Sequence, residues 1–314
     1  MNPDYQKHFP VMLPEVLQAL SPRHGEIYVD ATFGNGGYSE AILKAASCKV
    51  IALDRDPGVA AKARELAAKY GERFEFRAGQ FSHFSELVSE EVNGAVFDIG
   101  VSSMQLDEAE RGFSFAKEAP LDMRMSQSGK TAADLVNTLP EAELADLIYN
   151  YGEERKSRQI ARRIVELRKQ KPISTTKELA EIINGVVRRT PGGIDPATRT
   201  FQALRIAVNN ELGELKAGLS GAAARLAPGG RLVVVDFHSL EDRIVKTFLK
   251  ENTGKTRHIS RYRPESQPQD GAIFAECSKA ITPSEEELKL NHRSRSAKLR
   301  FAVKKLNFQK EFEA

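Results

Sequence analysis

The sequence predicts an α/β protein: a mostly parallel sheet with helices on both faces, interrupted by an all-helical insertion. Three observations carry this reading. Short apolar runs alternate with helical patterns over the first hundred residues, the alternation stops near residue 111, and it resumes near residue 197. Continuous apolar strands separated by helices mark a parallel sheet buried on both sides.

The elements follow in order. Residues 15–20 read as a short helix, and Ile27-Tyr28-Val29-Asp30 as a first strand running into a glycine-rich turn. A helix over 39–46 leads to a second strand, Val50-Ile51-Ala52-Leu53-Asp54. Residues 57–70 are alanine-rich and charged, with Pro57 suited to a first helical turn. Phe74-Glu75-Phe76 and Ala95-Val96-Phe97-Asp98 are the third and fourth strands. From 111 to about 196 helical signals dominate. They comprise 141–151, then 154–170 with Ile160, Ile164, Val165 and Leu167 on one side, then a helix opened by the capping-box pattern Thr175-Thr176-Lys177-Glu178. Phe201, Leu204, Val208, Leu212, Leu215 and Leu219 recur at three- and four-residue steps, which predicts one long amphipathic helix ended by Ala227-Pro228-Gly229-Gly230. Residues 231–237, 273–276 and 299–303 read as closing strands, and the polar stretch 255–270 as a loop. The expected division is 1–110 with 197–314 as a discontinuous sheet domain, and 111–196 as the helical insertion.

Composition bounds the function. A chain of 314 residues, 41% hydrophobic and 28% charged, has the make-up of a globular protein long enough for two domains. No apolar run nears the roughly 18 residues of a membrane span. Residues 1–10 lack the apolar run of a secretory signal, so a cytoplasmic protein with no membrane partner is expected. Cys48 and Cys277 are far apart and the six histidines are scattered, which argues against a disulfide framework or a metal site. The net charge of +3 says little about nucleic acid. Local basic clusters at 155–171, at Arg261 and Arg263, and at 293–305 say more, although each alone can be a solvated face.

Three segments carry chemistry. Asp30-Ala31-Thr32-Phe33-Gly34-Asn35-Gly36-Gly37 follows the first strand and precedes a helix, where glycines allow a tight turn and close approach to a ligand. Asp54 ends the next strand twenty residues after Gly34, placed to accept from the ribose hydroxyls of a nucleoside cofactor. The pair fits either a nicotinamide or an S-adenosylmethionine cofactor. Ser39 falls where a dinucleotide fingerprint wants a third small residue, and Pro228-Gly229-Gly230 before a strand, with two strands closing the chain, suits a Rossmann-like class I methyltransferase sheet. Second, Asp98-Ile99-Gly100-Val101-Ser102-Ser103-Met104-Gln105 begins at the carboxyl end of the fourth strand, where open α/β sheets bind ligands. Asp98, Ser102 and Gln105 are its polar candidates, with turn capping as the alternative. Third, Asp236-Phe237-His238-Ser239-Leu240-Glu241-Asp242-Arg243 packs ionisable groups at a strand end. A helix cap by Ser239 is its structural alternative.

These segments, together with Arg111-Gly112-Phe113-Ser114-Phe115, Leu121-Asp122-Met123-Arg124-Met125, Tyr151-Gly152-Glu153-Glu154-Arg155, Phe201-Gln202-Ala203-Leu204-Arg205-Ile206 and the run from Arg293 to Arg300, resemble the MraW family of small-subunit ribosomal RNA methyltransferases. The resemblance spans nearly the whole chain. It implies S-adenosyl-L-methionine as cofactor and N4 of a cytidine in the decoding region of 16S rRNA as target, in free RNA or in a 30S particle. Cofactor contacts implied by it fall on Gly36, Gly37, Tyr38, Asp54, Phe81, Asp98 and Gln105. Tyr38 stands where the family commonly has histidine, and Ala31 where it commonly has glycine. Asp98, with His238 or Ser239 assisting, is nominated to accept from the target amine. Phe113 and Phe115 are candidates to stack on the base, with buried core expected for at least one. The helical insertion and 293–300 are assigned to RNA. No obligate protein partner is implied, and a homodimer stays open. Competing readings are a nicotinamide oxidoreductase, a methyltransferase on another RNA or DNA amine, and a non-catalytic RNA-binding assembly factor.

Overall fold

The structure is a computed structural model that describes residues 10–253 and 271–306. The loop read over 255–270, with Arg261 and Arg263, lies outside the described residues. The chain forms two compact units, one of Met1–Gly100 with Leu212–Ala314 and the other of Val101–Glu211.

The first unit is built on seven strands: β1 (Ile27–Asp30), β2 (Lys49–Asp54), β3 (Phe74–Ala78), β4 (Val92–Asp98), β5 (Leu226–Asp236), β6 (Phe274–Cys277) and β7 (Lys298–Lys304). Their order across the sheet is β3-β2-β1-β4-β5-β7-β6. The first five are parallel, whereas β7 runs antiparallel to both β5 and β6. The order progresses outward from β1 to β3, then restarts on the other side of β1 with β4. That reversal opens a crevice beyond the carboxyl ends of β1 and β4. Strand interiors are apolar because helices cover both faces: Val29, Ile51, Leu53, Ala95, Phe97, Leu232 and Val234 share one buried cluster with Leu215, Leu219 and Val245 of flanking helices. No helix among the described residues is long and apolar enough to cross a membrane.

β5 starts earlier than the sequence indicated. It opens at Leu226, and Pro228-Gly229-Gly230 is absorbed as an irregularity against β4, with Gly229 at φ +77°. The turn signal was real, but it marks a bulge within the strand.

The second unit is helical. Its main helices span Ala132–Thr138, Glu141–Gly152, Ser157–Arg168, Thr176–Val186 and Ala197–Asn209, and the capping box on Thr175 is formed as read. The boundaries drawn at 111 and 196 both fall inside this unit. Ala197, Phe201 and Leu204 belong to its core with Ile148, Ile160 and Ile183, so the helix that carries them packs with the insertion. The single long helix expected over 201–219 is two, Ala197–Asn209 and Glu211–Arg225, separated at Asn210 with φ +49°. Asn209 sets the break. Its amide donates to the Met123 carbonyl at 2.7 Å and to the Arg205 carbonyl at 2.9 Å, while its Oδ1 accepts from the Met125 N–H at 2.8 Å. Arg111 donates to the carbonyls of Arg124 and Met125, and Arg205 pairs with Glu211 at 2.8 Å. The segments around Arg111, Leu121 and Phe201 thus join in one buried network that holds the helical unit together.

Candidate active site

The turn after β1 is held by a buried carboxylate. Asp30 Oδ2 accepts from the Ser39 hydroxyl at 2.7 Å and the Ser39 N–H at 3.1 Å, and its Oδ1 accepts from Thr32 N–H at 3.3 Å. Burial pushes its pKa up to about 6, against the pull of these bonds. Asp30 therefore ties the strand end to the helix Gly37–Ala45, a role the sequence reading did not give it. Gly34 and Gly36 sit at φ +51° and +74°, a region that strains other residues. A Cβ on Gly37 would fall 2.3 Å from the Pro10 ring. The N–H groups of Gly37 and Tyr38 lie in the first helical turn, where the helix itself supplies no acceptor.

Asp54 closes β2 beside this turn. Its Oδ2 accepts from Gly34 N–H and its Oδ1 from Asp56 N–H, each at 2.8 Å. Burial raises its pKa and these two bonds oppose the rise. The carboxylate so binds the two loops together while keeping lone pairs for a further donor.

Asp98 ends β4. Its N–H donates to Thr32 Oγ1 at 2.7 Å, which fixes the β4 exit to the β1 turn. Its Oδ1 is buried and has no hydrogen-bond partner among the described residues. Burial pushes the pKa to about 8, neighbouring Asp30, Glu241 and Glu287 add to the rise, and the Tyr38 hydroxyl draws it back. Tyr38 is itself buried and donates its hydroxyl to the Val11 carbonyl. Phe81 turns its ring edge-on to Phe97, with centroids 5.6 Å apart, so its side chain packs on the core beyond β3.

After β5 the local roles differ from those read in sequence. The N-cap of helix Ser239–Asn252 is His238, not Ser239: the His238 ring accepts from Glu241 N–H at 3.4 Å, while Glu241 Oε2 accepts from the N–H of Phe237 at 3.0 Å and of His238 at 3.3 Å. His238 Nε2 lies 3.0 Å from Glu241 Oε1. Ser239 is exposed one position into the helix. The basic run 293–300 is partly consumed within the fold, since Lys298 and Arg300 bond Asp242 at 3.0 and 2.8 Å. In the helical unit Ser102 and Gln105 form a reciprocal capping box. Phe113 is buried in the core of the helical unit, and the half-buried Phe115 meets Phe201 edge-on at 4.8 Å.

Asp236, at the end of β5, is 1% exposed and neither carboxyl oxygen has a hydrogen-bond partner among the described residues. Burial pushes its pKa to about 8, Asp242 and Glu241 reinforce this, and Lys298 and Arg300 oppose it. In the unfolded chain the group ionises near 3.8, whereas the folded protein retains the proton up to about 8. Stability from this group is therefore full below the lower value and is lost as pH rises through the upper one. Asp236→Asn should raise stability by about 1–3 kcal/mol at pH 8.5 and by less at pH 6. Thermal melts at the two pH values check it, and a variant that melts lower at pH 8.5 would show that the carboxylate has a function in folding.

A parallel sheet with its crevice at β1 and β4, a glycine turn over a helix N-terminus, an acid closing the neighbouring strand and an antiparallel strand paired to β5 define a Rossmann-like methyltransferase class. The chain belongs to the MraW methylase family, whose model matches residues 5–305. It is 53% identical over 310 residues to the ribosomal RNA small subunit methyltransferase H of Rhodospirillum rubrum, covering 96% of this chain and 95% of that protein. It is 53% identical over 300 residues to the protein of the same name from Rickettsia massiliae, covering 95% and 98%. A solved rRNA methylase from Streptococcus thermophilus aligns at 11% identity over 93% of each chain, with a TM-score of 0.41. The chain is an S-adenosylmethionine-dependent methyltransferase. The site's own chemistry fits that cofactor: Asp54 offers acceptors for ribose hydroxyls, and the unpartnered Oδ1 of Asp98 is an acceptor suited to a cation or an N–H donor.

Proposed function

We propose that this methyltransferase acts on small-subunit ribosomal RNA, at N4 of a cytidine in the decoding region of 16S rRNA, in the cytoplasm. The names of its relatives support the RNA class. The observation that carries the amine target is Asp98, a carboxyl at the β4 exit with a buried acceptor oxygen left over.

When bound, S-adenosylmethionine supplies a methyl group already activated by its sulfonium charge. The protein's own residues hold and orient. Gly36 and Gly37 let the backbone approach the ligand, the N–H of Tyr38 contributes a donor, Asp54 takes the ribose hydroxyls, and Phe81 borders the base. Gln105 remains a contact implied by family resemblance. Cytosine N4 is a poor nucleophile because its lone pair conjugates with the ring. Ionised Asp98 accepts one N–H, which favours a pyramidal nitrogen and offsets the positive charge that develops on it. His238 and Ser239 stay as candidate assistants, with His238 already engaged as a helix cap. The base must leave its stack to react, which suits a loop or single strand, and the helical unit Val101–Glu211 supplies RNA contacts.

Transfer of tritiated methyl from the labelled cofactor to 30S particles from a deletion strain, followed by nucleoside mass spectrometry, tests this. The expected product is N4-methylcytidine in the decoding region. Methylation confined to another base or position would overturn the target, and label in neither particles nor free 16S rRNA would overturn the RNA reading.

A further inference from the structure

Helix Glu141–Gly152 buries Leu144, Ala145 and Ile148, which leaves Tyr149 on its outer side with 57% of its surface exposed. The helix closes on Gly152, where no side chain fits because a Cβ would lie 2.5 Å from the Arg199 carbonyl oxygen. Glu153 then turns the chain at φ +50°, and helix Ser157–Arg168 begins four residues later. This tight return brings Arg155, Lys156 and Arg158 round a cavity of about 650 Å³ that Tyr149 also lines. The lining holds a single carboxylate, Asp146, against three cations.

Several other cations of the helical unit are spoken for. Arg124 pairs with Asp122, Arg163 with Glu166 and Lys171 with Glu178, while Arg168 donates to the Val136 carbonyl. Arg155, Lys156 and Arg158 are exposed, and no side-chain hydrogen bond or ion pair joins them to the rest of the described protein. A water-exposed aromatic face beside unbalanced positive charge matches a ligand that is both planar and anionic. A nucleotide whose base is free of a duplex has these properties, and a cavity of this size holds one or two of them.

We propose that this cavity is a single-stranded RNA subsite, in which a base stacks on Tyr149 and the adjoining phosphates are held by Arg155, Lys156 and Arg158. It rests on the reading that the substrate is RNA, and it adds a nucleotide contact separate from the residues nominated for methyl transfer.

The test uses the full chain, a fluorescein-labelled single-stranded RNA of twelve nucleotides and isolated 30S particles. Tyr149→Ala should weaken binding of the oligonucleotide about tenfold, and Tyr149→Phe should keep wild-type affinity, since stacking needs only the ring. The triple variant Arg155→Gln, Lys156→Gln, Arg158→Gln should lower the slope of log K against log salt by about 2, at about 0.7 per phosphate contact. Both the alanine and the triple variant should raise KM for 30S particles at unchanged kcat, with cofactor affinity and melting temperature as in wild type. Wild-type affinity in Tyr149→Ala, or an unchanged salt slope in the triple variant, overturns the subsite. Displacement of the RNA by polyglutamate as readily as by unlabelled RNA also overturns it, in favour of an acidic protein partner. Binding is read without turnover, so the two readings fail separately. RNA bound through these residues but never methylated leaves the subsite standing and removes the activity, whereas normal methylation with indifferent variants does the reverse.

Discussion

Asp98→Ala is expected to lower kcat by at least about 10²–10³-fold, the loss typical of removing one group aimed at transition-state charge. The side chain carries the acceptor that an amine losing its conjugation requires, a buried Oδ1 without a hydrogen-bond partner among the described residues. Asp98→Asn keeps the shape and one acceptor but loses the negative charge, so it should recover binding more than rate. The wild-type pH profile provides an independent check. Burial holds the free carboxyl protonated up to about pH 8. Only about a tenth is ionised at pH 7, so kcat/KM for the cofactor, which reports the free enzyme, should rise close to tenfold per pH unit below 8 and level off above it. A flat profile from pH 6 to 9, or wild-type rates from a folded Asp98→Ala protein, would remove Asp98 from the chemistry. Proton release on cofactor binding at pH 7, read by calorimetry in buffers of different ionisation enthalpy, should accompany the profile, because a nearby cation lowers the pKa.

Asp54→Ala is expected to weaken cofactor binding by at least about tenfold, equivalent to more than about 1.4 kcal/mol of lost ribose contacts. Two effects combine. The substitution removes the acceptors proposed for the sugar, and it also frees Gly34 and Asp56, whose N–H groups the carboxylate holds at 2.8 Å. The glycine turn then loses preorganisation, and binding must order it. Asp54→Asn separates the two: it retains one loop bond and should fall between wild type and alanine. Calorimetric affinity equal to wild type in Asp54→Ala would take this residue out of the cofactor site.

Much of the sheet was legible because its strands are continuous apolar runs, each closed by a polar residue: Asp30, Asp54, Asp98 and Asp236 all stand at strand ends as read. What stayed hidden depends on contacts between residues distant in sequence. The apolar period runs unbroken from Phe201 to Leu219, so it could not reveal that Asn209 answers a demand from Met123 and Met125, 86 and 84 residues away. Nor does a helical period say which core a face joins, and Phe201 packs with Ile148, Ile160 and Ile183 of the helical unit. Lys298 and Arg300 looked like phosphate ligands until their pairing with Asp242, 56 and 58 residues upstream, was visible. Ser239 is the commoner capping residue by type, but Glu241 reaches the N–H groups of Phe237 and His238 and thereby selects His238 as the cap. The isolation of Asp236 leaves no trace in sequence, because it is a lack of partners.

The antiparallel strand β7 follows the other six strands in the chain, yet it occupies an interior place, bonded to β5 along one side and to β6 along the other. Until the ribosome has delivered Lys298–Lys304, β5 presents a bare row of amide and carbonyl groups, and β6 has nothing to join. Translation that stops a few residues short of this strand would therefore release a chain with an adhesive flank, prone to cluster with its own kind rather than to persist as a shortened enzyme.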